Sequence, residues 1–176
     1  GTLFNAYFIL NGGDIQAIVK KHHLPNETEF DEVRIFETGQ VSRPYVINVV
    51  RIGSPICEDA WHQDVVETLE ETGAEFLFIP NGSPYYRGKL DVRLNLMVSR
   101  VVESGLPLIY LNLTGGQDDQ IFDGCSFALN PGGELAAMLP MFEESITQPT
   151  LNRTDQGWRI ADTVKSKVPD QLESDY

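Results

Sequence analysis

The sequence is poor in cysteine, in basic side chains and in long apolar runs, and each shortage excludes something. Two cysteines, Cys57 and Cys125, stand far apart and make neither a disulfide framework nor a cysteine-rich metal box. They point instead to a reducing cytoplasm, where Cys57 stays a thiol. Lys and Arg number 13 against 26 Asp and Glu, for a formal net charge of -13. That balance disfavours nucleic acid and anionic membrane as partners. No apolar stretch reaches the roughly 20 residues of a membrane-crossing helix, and no signal-peptide pattern opens the chain. Gly12-Gly13 and Gly132-Gly133 are not phosphate loops, because neither opens a helix with Lys-Ser/Thr. What remains is ordinary for a soluble domain: 176 residues, 41% hydrophobic and 22% charged, enough for one real core.

The patterning predicts an α/β fold. Leu3–Leu10 alternates into Asn11-Gly12-Gly13-Asp14, and Ile15–Val19 follows, so a hairpin is expected there. A polar loop runs from Lys20 to Glu29. Val46–Cys57 is strand-like, as two strands or one long bent strand. Val65, Val66 and Leu69 mark the apolar face of a short helix that Gly73 closes. Glu75–Pro80 and Leu106–Leu111 read as buried strands. Between them Leu90, Leu94, Met97, Val98, Val101 and Val102 recur with helical spacing, and Gly105 ends that helix. Phe127–Leu129, the turn Asn130-Pro131-Gly132-Gly133 and Glu134–Leu139 form a second hairpin. Strand, helix, strand, helix, strand implies a parallel sheet, made mixed by the flanking hairpins. The tail after Thr147 is polar and reads as a linker or surface arm.

In such sheets active residues gather beyond the carboxyl ends of the strands. Cys57, the loop Asn81-Gly82-Ser83-Pro84 and the loop Asn112–Asp123 all fall there. In Ile56-Cys57-Glu58-Asp59-Ala60-Trp61 an apolar run stops at a thiol, and a helix is expected to follow. Convergent backbone N–H groups and the helix dipole favour the thiolate at such a place. A lone cysteine is more often a buried structural residue, which is the reading for Cys125, ahead of an apolar strand. The elbow context distinguishes Cys57. Lys20-Lys21-His22-His23 is a basic cluster in an acidic chain; composition alone reads it as a solvated loop, and a functional reading gives it an oxyanion to neutralise. Adjacent histidines point opposite ways on a strand, so they make a poor metal pair, and no metal site is expected. Gly115-Gly116-Gln117-Asp118-Asp119 lacks calcium-loop spacing and reads as a shaped turn.

Four segments in order carry a resemblance. They are Lys21-His22-His23-Leu24-Pro25-Asn26 with Phe30-Asp31-Glu32; Ile56-Cys57-Glu58-Asp59-Ala60-Trp61; Asn81-Gly82-Ser83-Pro84-Tyr85 with Gly88-Lys89; and Asn112-Leu113-Thr114-Gly115-Gly116-Gln117-Asp118 with Phe122-Asp123-Gly124. Together they resemble the carbon–nitrogen hydrolase (nitrilase) superfamily, and more narrowly its glutaminase domains of glutamine-dependent NAD synthetases. The resemblance implies a nitrilase-like α-β-β-α sandwich with a mixed sheet. It implies a glutaminase domain over residues 1–149, and a linker or arm toward a synthetase domain over 150–176. By it Cys57 is the nucleophile on the glutamine side-chain amide and Lys21 stabilises the oxyanion. Glu58, Trp61, Ser83 and Lys89 line the glutamine pocket, and Glu32 is an acidic residue beside the lysine.

The resemblance also implies a glutamate that transfers protons, placed before the lysine. No glutamate precedes Lys21 here, so the sequence is expected to be a domain lacking its N-terminal part and inactive alone. Glutamine is the implied substrate and ammonia the product handed on. A homo-oligomer is implied. No cofactor is expected for the glutaminase; ATP and Mg belong to the synthetase domain. A stand-alone amidase or carbamoylase of the same superfamily is the second reading, and a catalytically dead oligomerisation scaffold the third.

Overall fold

The computed structural model describes residues 1–26 and 30–161. They divide into two compact units, Gly1–Pro80 and the chain from Asn81 onward. In the first, β1 (Ala6–Asn11) and β2 (Asp14–Lys20) pair as an antiparallel hairpin with Gly12 and Gly13 at its turn. This hairpin is a sheet of its own rather than an added edge of the main sheet. The strand-like run after Val46 resolves into two strands, β3 (Tyr45–Ile47) and β4 (Val50–Gly53), paired antiparallel. Asn48 makes the reversal with a left-handed φ of 54°. β5 (Phe76–Asn81) then runs parallel to β4, so the sheet is mixed as the sequence predicts.

Helix α1 (Gln63–Glu71) forms the β4-to-β5 crossover. Its periodic residues Val65, Val66 and Leu69 are the buried ones, together with Leu77 and Ile79 of β5. Each such side chain removed from water contributes about 1.5–3 kcal/mol. Gly53 is what lets the helix lie this close. A Cβ there would meet the Leu69 and Leu77 side-chain methyls at 3.1–3.2 Å.

The second unit opens with α2 (Lys89–Ser104), closed by Gly105 in the left-handed conformation. β6 (Leu108–Asn112) pairs antiparallel with β9 (Phe127–Asn130), which pairs with β10 (Glu134–Met138) through the Gly132-Gly133 turn. Tyr110 and Phe127 stack at 4.8 Å in this core. Two expectations are corrected. The segment Asn112–Asp123 is not a loop but a hairpin, β7 (Thr114–Gln117) and β8 (Gln120–Asp123), turning at Asp118 with φ 51°. The tail is not a bare linker over its first part: β11 (Leu151–Thr154) and β12 (Gly157–Ile160) pair with each other. Ile160 is buried, and its N–H and C=O both bond the Asn130 side chain. Residues 162–176 of the expected arm lie outside the described residues.

Candidate active site

Cys57 stands at the head of a short 3-10 turn, Cys57–Trp61, and not directly at an α-helix N-terminus. Helix α1 starts only at Gln63, so the dipole argument for its thiolate loses most of its force, because that effect fades within one turn. The elbow itself is real. Cys57 has φ 48°, a left-handed conformation uncommon for a residue with a Cβ and one that persists where surroundings over-determine it. Cys57 is half-buried and packs against the apolar cluster formed by Ile9, Val19 and Ile56, which includes side chains of the hairpin that leads into Lys21. Cys125 is nearly fully buried, and burial first, then the Asp123 charge, pushes its thiol up to about 11. That fits the structural reading given to it.

Lys21 follows the last residue of β2 and is 2% exposed. Its Nζ donates to Glu32 Oε1 at 2.8 Å, and Glu32 Oε2 accepts from Asn5 Nδ2 at 3.3 Å. Backbone bonds hold both sides of the residue: Lys21 N–H to Asn5 C=O, and Gly39 N–H to Lys21 C=O, each 2.9 Å. A Cβ on Gly39 would stand 2.5 Å from Lys20 Cβ, so only glycine lets that segment pass so close to the end of β2. Lys20 is exposed and lies over the Phe4 ring at 3.8 Å. The two lysines therefore face opposite ways. Glu32 enters the site as the partner of Lys21.

Behind both residues sits Asp59, 2% exposed and not among the residues singled out from the sequence. Its Oδ1 accepts from the backbone N–H of His22 (3.0 Å) and His23 (2.7 Å), and its Oδ2 from that of Ile56 (3.1 Å). Burial pushes its carboxyl up, against the pull of these three donors and of the Lys21 charge. The motif Cys-Glu-Asp was visible, but nothing local says that Asp59 reaches residues 36 and 37 positions upstream.

Glu58 is half-buried, with Oε1 3.5 Å from His62 Nε2. Trp61 closes the turn, also half-buried. The histidines do not point apart, because β2 ends before them; their rings meet edge to face at 4.7 Å. His23 Nε2 lies 3.0–3.1 Å from both Asp64 oxygens, and His22 Nδ1 2.7 Å from Gly39 C=O. His22, His23 and Asp64 each bring one ligand atom within 4.8 Å of the others, a grouping that could hold a metal ion, so the reason given for expecting none does not stand. Desolvation pushes the Asp64 carboxyl up, but the His23 bond and charge outweigh it and hold it low.

In the second unit, Ser83 is buried with its polar atoms engaged. Its N–H donates to Asn112 Oδ1 (2.9 Å), its Oγ accepts from Arg93 Nε (3.1 Å), and its C=O accepts from Arg93 Nη2 (2.8 Å) and Asn112 Nδ2 (3.2 Å). Arg93 is in turn forked onto both Asp123 oxygens at 2.8 Å, a fully buried ion pair. Lys89 opens α2, with its ammonium 4.6 Å from the Tyr86 ring centroid. Neither Arg93 nor Asp123 was expected at the site. The Cys57 turn and Lys21 lie in one unit, and Ser83 and Lys89 in the other.

A cysteine at a left-handed elbow and a buried lysine–glutamate pair, in one unit of an α/β fold with a mixed sheet, are what the chain brings to a comparison with known proteins. The carbon-nitrogen hydrolase profile matches residues 1–159, and the chain belongs to that family, with its nitrilase-like fold. Within it, the chain is 50% identical over 173 residues to the glutamine-dependent NAD(+) synthetase of Rhodobacter capsulatus, covering 98% of this chain and 31% of that protein. It is 38% identical over 151 residues to the synthetase of Aquifex aeolicus, covering 85% and 27%. The solved glutamine-dependent NAD+ synthetase of Acinetobacter baumannii, in complex with ADP, superposes with a TM-score of 0.87 at 30% identity, over 96% of this chain and 32% of that one. A mutant amidase from Nesterenkonia sp. AN1, carrying the acetamide moiety of fluoroacetamide on its active-site cysteine, superposes at 0.63 with 25% identity, over 73% and 47%. The chain spans about a third of the length of the synthetases it matches.

Proposed function

We propose that this chain is the glutaminase part of a glutamine-dependent NAD synthetase, occupying residues 1–149 with the following residues leading toward a synthetase domain. The reading rests on one observation above the others: a buried lysine, fixed by Glu32, in the same unit as a cysteine held at a left-handed elbow. The Cys57 sulfur attacks the side-chain amide carbon of glutamine. Lys21 neutralises the oxygen that becomes negative, and such a donor is typically worth two to three orders of magnitude in turnover. The proton that Cys57 gives up passes to the amide nitrogen, a transfer the resemblance assigns to a glutamate placed before the lysine, so that the nitrogen leaves as ammonia. Water then cleaves the thioester to glutamate and returns the thiol, so one hard hydrolysis becomes two easier steps. Glu32 orients Lys21. Glu58, Trp61, Ser83 and Lys89 are the residues that this reading assigns to glutamine binding. Ammonia then serves an ATP- and Mg-dependent amidation elsewhere in the protein. We assign no residue of this chain to nucleotide; both Gly-Gly pairs are hairpin turns. The same reading makes the whole protein a cytoplasmic homo-oligomer. No helix among the described residues is long and apolar enough to cross a membrane.

The test is made in the complete synthetase. Lys21→Ala should lower glutamine-dependent NAD formation by roughly 100- to 1000-fold and leave ammonia-dependent formation intact, while Lys20→Ala changes neither. Equal losses from the two lysines would overturn the assignment. Glutamine-independent hydrolysis of simple amides by the wild type would favour the amidase reading.

A further inference from the structure

We propose that Asp59 is a positioning residue that joins the oxyanion lysine to the nucleophile elbow and sets their spacing, an inference that rests on the glutaminase reading. Lys21 and Cys57 lie on separate segments, and the reaction needs the Lys21 ammonium and the Cys57 sulfur at one reacting carbonyl. A displacement of about 1 Å in such a pair costs on the order of 100-fold in rate. Asp59 spans the gap. Two of its three backbone donors, His22 and His23, directly follow Lys21, and the third, Ile56, directly precedes Cys57. The Ile56 link is reciprocal, since the Asp59 N–H donates back to the Ile56 C=O at 3.0 Å. That closed ring encloses Cys57 and supports its left-handed φ.

The chemistry requires a carboxylate. All three partners are N–H donors, so the acceptor needs two oxygens aimed in two directions and no hydrogen of its own. Asparagine has the same shape but one acceptor oxygen. If that oxygen keeps His22 and His23, its NH2 confronts the Ile56 N–H; if it turns, it confronts the other two. Either way one arm of the clip is lost while the volume of the buried site is unchanged.

The experiment compares Asp59→Asn with wild type in the complete synthetase. Expected are a fall in glutamine turnover of about 100-fold, a KM for glutamine within about threefold, and unchanged ammonia-dependent synthesis. Alkylation of Cys57 by iodoacetamide, which needs no oxyanion site, should keep its rate. Combined with Lys21→Ala, the second loss should not multiply the first, because both remove the same alignment. Undiminished glutamine turnover in a folded Asp59→Asn protein overturns the proposal. So does a loss matched by an equal loss of ammonia-dependent activity or of folded protein, which marks a purely structural role. If the Asn variant does not fold, Asp59→Glu keeps the charge and both oxygens one methylene further out, and full glutamine turnover there is equally fatal. A wild-type enzyme without glutamine-dependent activity would instead defeat the glutaminase reading.

Discussion

Alkylation should discriminate sharply between the two thiols. Cys125 titrates at about 11 because burial and the neighbouring Asp123 charge oppose its thiolate. At pH 8 such a thiol is ionised roughly once in a thousand molecules, against about one in four for an ordinary thiol near 8.5. The more basic thiolate is intrinsically faster, and a Brønsted slope of about 0.4–0.5 returns a little over one of the two-and-a-half decades. Roughly twentyfold in favour of an ordinary thiol therefore remains before access is counted. Cys125 is also 2% exposed and Cys57 only half-buried, so the observed preference should exceed that figure. The assay is a time course with iodoacetamide on native protein at pH 8, with adducts mapped by peptide mass spectrometry. In denaturant both cysteines should label at similar rates, since the shift belongs to the folded surroundings. Raising the native sample from pH 8 to pH 10 should speed Cys125 about tenfold per unit, while an ordinary thiol levels off. Equal native labelling of the two, or an adduct on Cys125 first, refutes the argument.

Two further outcomes follow from buried charge. Asp123→Ala leaves the Arg93 guanidinium buried without its counter-ion and should destabilise the protein by about 3–5 kcal/mol, read from urea unfolding, whereas Asp123→Leu combined with Arg93→Met should cost much less than the sum of the single changes; a loss under about 1 kcal/mol from Asp123→Ala would refute the pair's role. For Asp59, burial raises the folded-state carboxyl above 3.8, so the native state holds that proton more tightly than the unfolded chain, and the contribution to stability is complete below 3.8 and falls as pH rises through the folded value. Asp59→Asn has no such proton to lose, so its stability relative to wild type should improve as pH rises above 3.8, and a change in the opposite direction would mean that burial does not raise this carboxyl in the fold.

The sequence by itself determined what depends on near neighbours. The first hairpin is legible because alternation brackets Asn-Gly-Gly-Asp, and α1 because Val65, Val66 and Leu69 share one helical face. The elbow at Cys57 is legible because an apolar run stops at a thiol followed by carboxylates, and the family because four short motifs keep their order. The tertiary structure decided what depends on distant partners. Helix α2 shows this best. Its apolar spacing suggested Val102 for the core, yet Val102 is 60% exposed and Arg93 is 1% exposed. An arginine enters a core only if its charge is met there, and the group that meets it, Asp123, lies 30 residues away. The tail from Leu151 to Ile160 looked polar because its hairpin buries little beyond Ile160, and it is anchored by the Asn130 side chain rather than by apolar area. Asp59 follows the same rule: its type and position are plain in the motif, but its work is done on backbone N–H groups of another segment, which carry no side-chain signature in a sequence.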